Sequence, residues 1–142
     1  MAFEITRVDI WAGEVRDRRG ALAEMLKAVL DAGADLDFII ARPSPVKPNT
    51  GILYLAPLVG PEQVQAAEAA GLTKSSHIDA LRIIGPDRPG VAEAVTRDLA
   101  EAGLNISVLT AARMGKRCVM YVRFERESDV AKAADVLKAL LK

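Results

Sequence analysis

The segment Gly85-Pro86-Asp87-Arg88-Pro89-Gly90 decides the fold, because it joins an apolar strand at 80–84 to an amphipathic helix. Asp87 suits a helix N-cap and Pro89 a first helical turn, while Gly90 lets another backbone or a small ligand come close. The segment therefore has two interpretations. It is a plain strand–turn–helix junction, or it is a binding site where free N–H groups and the helix dipole attract an anion such as a carboxylate.

A related segment lies 70 residues earlier in the chain. Asp17-Arg18-Arg19-Gly20 corresponds to Asp87-Arg88-Pro89-Gly90, and the helix that follows ends at Gly33 in the first copy and at Gly103 in the second. A loop, a helix and its terminating glycine in one register indicate an internal duplication. The sequence predicts two domains, at 1–71 and 72–142.

Apolar periodicity predicts the elements of each copy in the order β-α-β-β-α. The first copy has strands at 3–15, 36–42 and 52–58, and helices at 21–32 and 60–70. The second copy has strands at 77–85, 105–112 and 118–124, a helix at 91–102 and a final helix from about 130. Three prolines predict that 43–51 is a loop, and 73–76 reads as a polar lead-in.

The fourth strand of each unit is not assigned by this pattern, although a split-βαβ unit requires one. The first copy takes it from residues 74–79 or from a bend in a long strand. In the second copy the sheet is short, or a strand is exchanged between copies or between chains. The two extended first strands are the candidates for that exchange.

The amino-acid composition and the motif content argue against several classes of function. The 142 residues carry 19 basic and 19 acidic side chains, which argues against a nucleic-acid surface, and no apolar run is long enough to span a membrane. The start of the chain lacks the pattern of a signal peptide, and the single cysteine, Cys118, fits a reducing cytoplasm. Neither a zinc-ligand spacing nor a catalytic triad pattern occurs, so we expect no catalytic residue, no metal and no cofactor. His77 and Cys118 are expected to be structural.

The loop, the helix and the stretch Ala102-Gly103-Leu104-Asn105-Ile106 resemble the ACT domain family, the small ligand-binding modules of amino-acid metabolism. The second copy carries the resemblance more fully, since Arg19 replaces the proline in the first copy and Asp35 stands where Asn105 stands. The resemblance implies an α+β fold of two ferredoxin-like βαββαβ units in tandem, with antiparallel sheets and helices on one face. It also implies pairing into a homodimer with ligand at an interface.

Site residues follow from the same resemblance. The loop after the first strand would bind the α-carboxylate of an amino acid, and the residue at the start of the second strand would hold the amino acid through its side chain. The residues so implied are Asp87, Arg88, Pro89, Gly90, Val91 and Asn105 in the second copy, and Asp17, Gly20 and Asp35 in the first. Asp35 would repel a ligand carboxylate and meet an ammonium group instead, so the first site is altered or silent.

The sequence thus predicts a cytoplasmic, non-enzymatic sensor of a small amino acid or related metabolite that regulates a partner enzyme. One alternative is a dimerisation module without ligand, and another is a small enzyme acting on an anionic substrate. RNA-binding modules share the βαββαβ order, but they need aromatic residues on central strands and a basic face, which this chain lacks. Acylphosphatases share it too, but their loop pattern does not match.

Overall fold

The computed structural model describes residues 2–141, with 75–78 described by their backbone only. The described chain forms, in order, β1 (Glu4–Arg16), α1 (Ala21–Asp31), β2 (Phe38–Pro43), β3 (Thr50–Ala56), α2 (Gly60–Ala69), β4 (Thr73–Pro86), α3 (Val91–Glu101), β5 (Ile106–Met114), β6 (Arg117–Phe124) and α4 (Ser128–Leu140). Its fold class is α+β, as the sequence predicts.

The chain forms two compact units, and the division between them falls inside the long strands β1 and β4. The continuous unit is Asp9–Ile78, and the composite unit combines Met1–Val8 with Asp79–Lys142. These units differ from the repeat boundaries at 1–71 and 72–142, because the division between the units falls inside β1 and β4. A repeat boundary in the sequence is therefore not the boundary of a folded unit.

The continuous unit contains a complete βαββαβ sequence of elements. Its sheet has the order β2-β3-β1, and the first part of β4 lies beside β1 as the fourth strand. There the Thr73 hydroxyl donates to the Ala12 carbonyl at 3.5 Å. Val29 of α1 and Ala67 of α2 share a core with apolar residues of β3, so both helices cover one face of this sheet.

The composite unit repeats this arrangement with a strand from the start of the chain. Its sheet has the order β5-β6-β4, and residues 4–8 of β1 lie beside β4. Phe3 and Ile5 pack against the core of this unit. The Arg7 guanidinium binds the carboxylate of Asp79, whose side chain is buried. Of the alternatives for the missing strand, the structure thus shows an exchange within one chain.

Two local predictions are wrong. The polar stretch 73–76 is not a lead-in but part of strand β4, and of the two alternatives for the fourth strand of the first copy the one at 74–79 is confirmed. Pro43 belongs to strand β2, opposite Gly51, whereas the prolines predict that it lies in a loop. Proline is tolerated there because β2 is the outermost described strand of its sheet and Pro43 ends it.

The duplication is visible in the backbone. Helices α1 and α3 each have 11 residues. The residue before each helix is a glycine in the left-handed region, with φ of 84° at both Gly20 and Gly90. The glycines just past their ends, Gly33 and Gly103, have φ of 92° and 79°. The same backbone geometry therefore begins and ends both helices.

Helix α3 begins at Val91 as predicted, but the predicted roles of Asp87 and Pro89 at its start are wrong. Gly90 is the N-cap residue and no side chain caps the helix, so Asp87 does not have the predicted capping role. Pro89 precedes the helix and is not in its first turn. A Cβ at Gly90 would meet no protein atom within 4 Å, so glycine is needed there for its positive φ and not for a close approach by the protein backbone.

Candidate ligand-binding site

A cavity of about 340 Å³ lies in the composite unit where β4 leads into α3. One wall is the loop and first turn at 87–93, and the opposite wall comes from 111–113 of β5 with Cys118 and Met120 of β6. Five of the predicted site residues line it, namely Asp87, Arg88, Pro89, Gly90 and Val91. The structure therefore brings the predicted loop residues together around one space.

The backbone of this loop leaves donors available. The Asp87 N–H donates to the Lys116 carbonyl at 2.9 Å, which ties the start of the loop to the β5–β6 turn. Within residues 2–141, the N–H groups of Gly90, Ala92 and Glu93 have no hydrogen-bond partner. They lie at the positive end of the α3 dipole, where an anionic group is stabilised.

Each charged side chain on the cavity wall has a partner inside the composite unit. The pairs are Asp87 with Arg113 (3.6 Å between Oδ2 and a guanidinium nitrogen), Glu93 with Arg97 (2.8 Å between Oε2 and a guanidinium nitrogen), and Arg88 with the ring of Phe3 (5.0 Å from Cζ to the ring centroid). Val91, Ala111 and Met120 give the rest of the wall an apolar character. The cavity thus combines open backbone donors with an apolar wall.

Asn105 does not join this cavity. It is exposed just before β5, and its carbonyl accepts a 3.4 Å hydrogen bond from the Glu125 N–H. Strand β5 runs from there to Ala112 at the cavity, which at about 3.3 Å per residue is a distance of roughly 20 Å. Within one unit, the loop and Asn105 are therefore too far apart to contact the same small ligand.

The first-copy residues are arranged in the same way. Asp17 lines a smaller cavity of about 230 Å³ at the start of α1, and Asp35 is exposed beyond the end of that helix. Gly20 sets the start of α1 through its φ of 84°. The guanidinium of Arg18 binds Glu24 at 2.7 Å. This hydrogen bond, with the attraction of the two charges, raises the pKa of Arg18 and lowers the pKa of Glu24.

Sequence reasoning missed Arg113 and Phe3. Arg113 follows Ala111 on the helix-covered side of β5, and its guanidinium reaches the carboxylate of Asp87. Cys118 is a core residue as expected, although it also lines the cavity. Nothing in the local pattern near the start of the chain signals that Phe3 contacts this loop.

Both units have the ferredoxin-like βαββαβ fold, with a cavity where the first strand leads into the first helix. Residues 80–142 match the family model of the ACT domain. The matched stretch contains the loop and the cavity but not residues 4–8, which complete its sheet. A comparison with curated protein sequences found no significant match.

Solved structures share the fold over nearly the whole chain. A protein from Bacteroides thetaiotaomicron is 16% identical with a TM-score of 0.75, and the match covers 96% of this chain and 89% of that one. The regulatory subunit of aspartate kinase from Thermus thermophilus, in its ligand-free form, is 17% identical with a TM-score of 0.66, over 98% and 96%. Aspartokinase III from E. coli, in complex with aspartate and ADP, is 16% identical with a TM-score of 0.58, over 96% of this chain and 32% of that one.

The described residues contain no helix that is both long and apolar enough to cross a membrane. They also contain no group of three or more histidine, cysteine, aspartate or glutamate side chains arranged to hold a metal ion.

Proposed function

We propose that this protein is a non-catalytic regulator that binds a small amino acid or a related metabolite. The observation that carries the proposal is the cavity at the start of α3, where unpaired N–H groups face an apolar wall. Its volume of about 340 Å³ admits a single amino acid with some solvent. The ACT match over 80–142 supports a ligand of this class.

The polar groups of the cavity suit a zwitterion. A carboxylate placed at the N–H groups of Gly90 and Ala92 would gain hydrogen bonds and the helix dipole. An ammonium group would meet the carboxylate of Asp87 or Glu93. The aliphatic part of the ligand would then lie against Ala111 and Met120, where burial of apolar surface stabilises binding.

The position of Asn105 supports a site shared between units of two chains. Asn105 lies roughly 20 Å along β5 from the cavity of its own unit, so its amide reaches a loop-bound ligand only from a different unit. Strand β5 is the outermost described strand of its sheet, and its edge is available for pairing with a second copy. A homodimer would thus supply both parts of the predicted site.

The regulated partner is an enzyme of amino-acid metabolism under this proposal. Its support is the similar fold of the aspartate kinase regulatory subunit and the presence of aspartate in the aspartokinase III structure. Ligand binding between two chains would shift the population of partner-binding states, which is how a ligand without catalytic contact changes an activity. A cytoplasmic location belongs to the same proposal.

Thermal denaturation with each of the twenty amino acids tests the proposal. A ligand at about 100-fold its Kd should raise Tm by roughly 5–10 °C. Ala111→Phe should abolish this rise, because Ala111 lines the cavity and is exposed enough to be enlarged without repacking the core. Ala41→Phe is the matched control, since Ala41 occupies the equivalent position in the first-copy cavity.

The outcomes separate the candidate functions. Loss of the shift only in Ala41→Phe would place the ligand in the continuous unit, and retention in both variants would contradict binding at either loop. No shift with any amino acid at millimolar concentration would favour a dimerisation module without ligand. That second function is favoured independently by the exposed apolar side chains of Ile39 and Leu109 on the two outermost strands.

A further inference from the structure

The ring of Phe3 occupies the space that a side chain at residue 85 would need. A Cβ built on Gly85 would lie 2.2 Å from Cδ1 of Phe3, which no real contact permits. Gly85 is the last residue but one of β4, directly before the ligand loop. The absence of a side chain at residue 85 therefore allows Phe3 to pack against the backbone from which the loop begins.

Phe3 also contacts the loop from the other direction. The guanidinium carbon of Arg88 lies 5.0 Å from the centroid of its ring, within the range of a cation–π interaction. Arg88 lines the cavity. One aromatic ring thus touches the chain before the loop and a side chain of the loop itself.

The first copy shows that this contact is specific to the composite unit. There Arg18, the counterpart of Arg88, binds Glu24 of its own helix at 2.7 Å. In the second copy the residue equivalent to Glu24 is Ala94, which offers no carboxylate. The two loops are therefore held by different partners, and in the composite unit that partner comes from the start of the chain.

We propose that Phe3 is a positioning residue of the ligand loop, so that the residues directly before β1 are a functional part of the binding site in the composite unit. The ring holds Gly85 and Arg88 in place before ligand arrives, which lowers the cost of ordering the loop on binding. The predicted change in ligand affinity rests on the proposed function, whereas the predicted order of the loop without ligand does not.

Two variants near the start of the chain test the proposal. Phe3→Ala should weaken ligand binding about tenfold and speed hydrogen exchange at 87–91 in the absence of ligand. Ile5→Ala is the matched control, because Ile5 lies two residues after Phe3 and packs against the same core. Ile5→Ala should lower stability while leaving affinity and exchange of the loop close to those of the wild type.

Conservative variants keep the test decisive if Phe3→Ala does not fold. Phe3→Tyr retains the ring and should behave as the wild type, whereas Phe3→Leu retains apolar contact without the cation–π interaction and should loosen the loop. Equal loop exchange in Phe3→Leu, Ile5→Ala and the wild type would overturn the inference. If the wild type binds no amino acid, the proposed function fails, while the exchange comparison still decides the role of Phe3.

Discussion

Gly20 and Gly90 carry the same backbone geometry at equivalent places in the two copies, with φ of 84° in each. A Cβ at either position would meet no atom within 4 Å, so substitution there introduces backbone strain without a steric clash. These positions therefore isolate the energetic cost of a left-handed residue.

We expect Gly90→Ala to lower the free energy of unfolding by about 1–2 kcal/mol, because an L-residue is strained at positive φ. Gly90→Asn should cost less, since asparagine tolerates this conformation better. Urea denaturation monitored by circular dichroism measures both. An unchanged midpoint for Gly90→Ala would show that the loop adopts a different backbone in solution, and Gly20→Ala provides the comparison in the other unit.

At the scale of elements, each unit leaves one strand at the edge of its sheet. These strands are β2 and β5 among the described strands, and each exposes an apolar side chain at an equivalent position: Ile39 is 48% exposed and Leu109 is 39% exposed. Edge strands with apolar side chains are surfaces that another chain can pair with.

Leu109→Lys and Ile39→Lys should therefore reduce the dimer fraction, because a charge would be buried at the paired edge. Val46→Lys is the control, since Val46 is 88% exposed but lies in the loop between β2 and β3. Light scattering over a range of concentrations reports the mass. A wild type that is monomeric, or a mass that none of these changes alters, would contradict pairing through these edges.

Element prediction from the sequence succeeded where the signal is local. The helix predicted at 91–102 is Val91–Glu101 in the structure. This prediction was correct because the apolar period and the terminating glycine are local signals in the sequence. The start of β4 was predicted only as one of two alternatives for a fourth strand, since the polar stretch 73–76 becomes a strand only by pairing with β1. The contact of Phe3 with Gly85 joins residues 82 positions apart, so no local pattern could have indicated it.

At the scale of the whole molecule, the two units differ in how their sheets are completed. The continuous unit draws all four strands from one stretch of chain, whereas the composite unit needs residues 4–8. Without them Asp79 loses its ion pair with Arg7, although its side chain is buried and its second oxygen already has no partner among the described residues. An unpaired buried carboxylate is strongly destabilising.

A fragment of residues 9–78 should therefore fold cooperatively alone, while 79–142 should not. Joining residues 1–8 to the end of the second fragment through a flexible linker should restore its folding, because the fourth strand then returns without the continuous unit. Thermal melts followed by circular dichroism distinguish these cases. A cooperative melt for residues 79–142 alone would show that the fourth strand is dispensable.

The divided strand β1 also sets an order of events during synthesis. Residues 4–8 leave the ribosome about 70 residues before their partner strand at 79–86, a delay of roughly 4–14 s at ordinary translation rates. By the end of that interval all residues of the continuous unit have been synthesised, and this unit folds around residues 9–16 of the same strand. The waiting residues are then tethered to a folded body, which keeps their local concentration high when the last helix is finished.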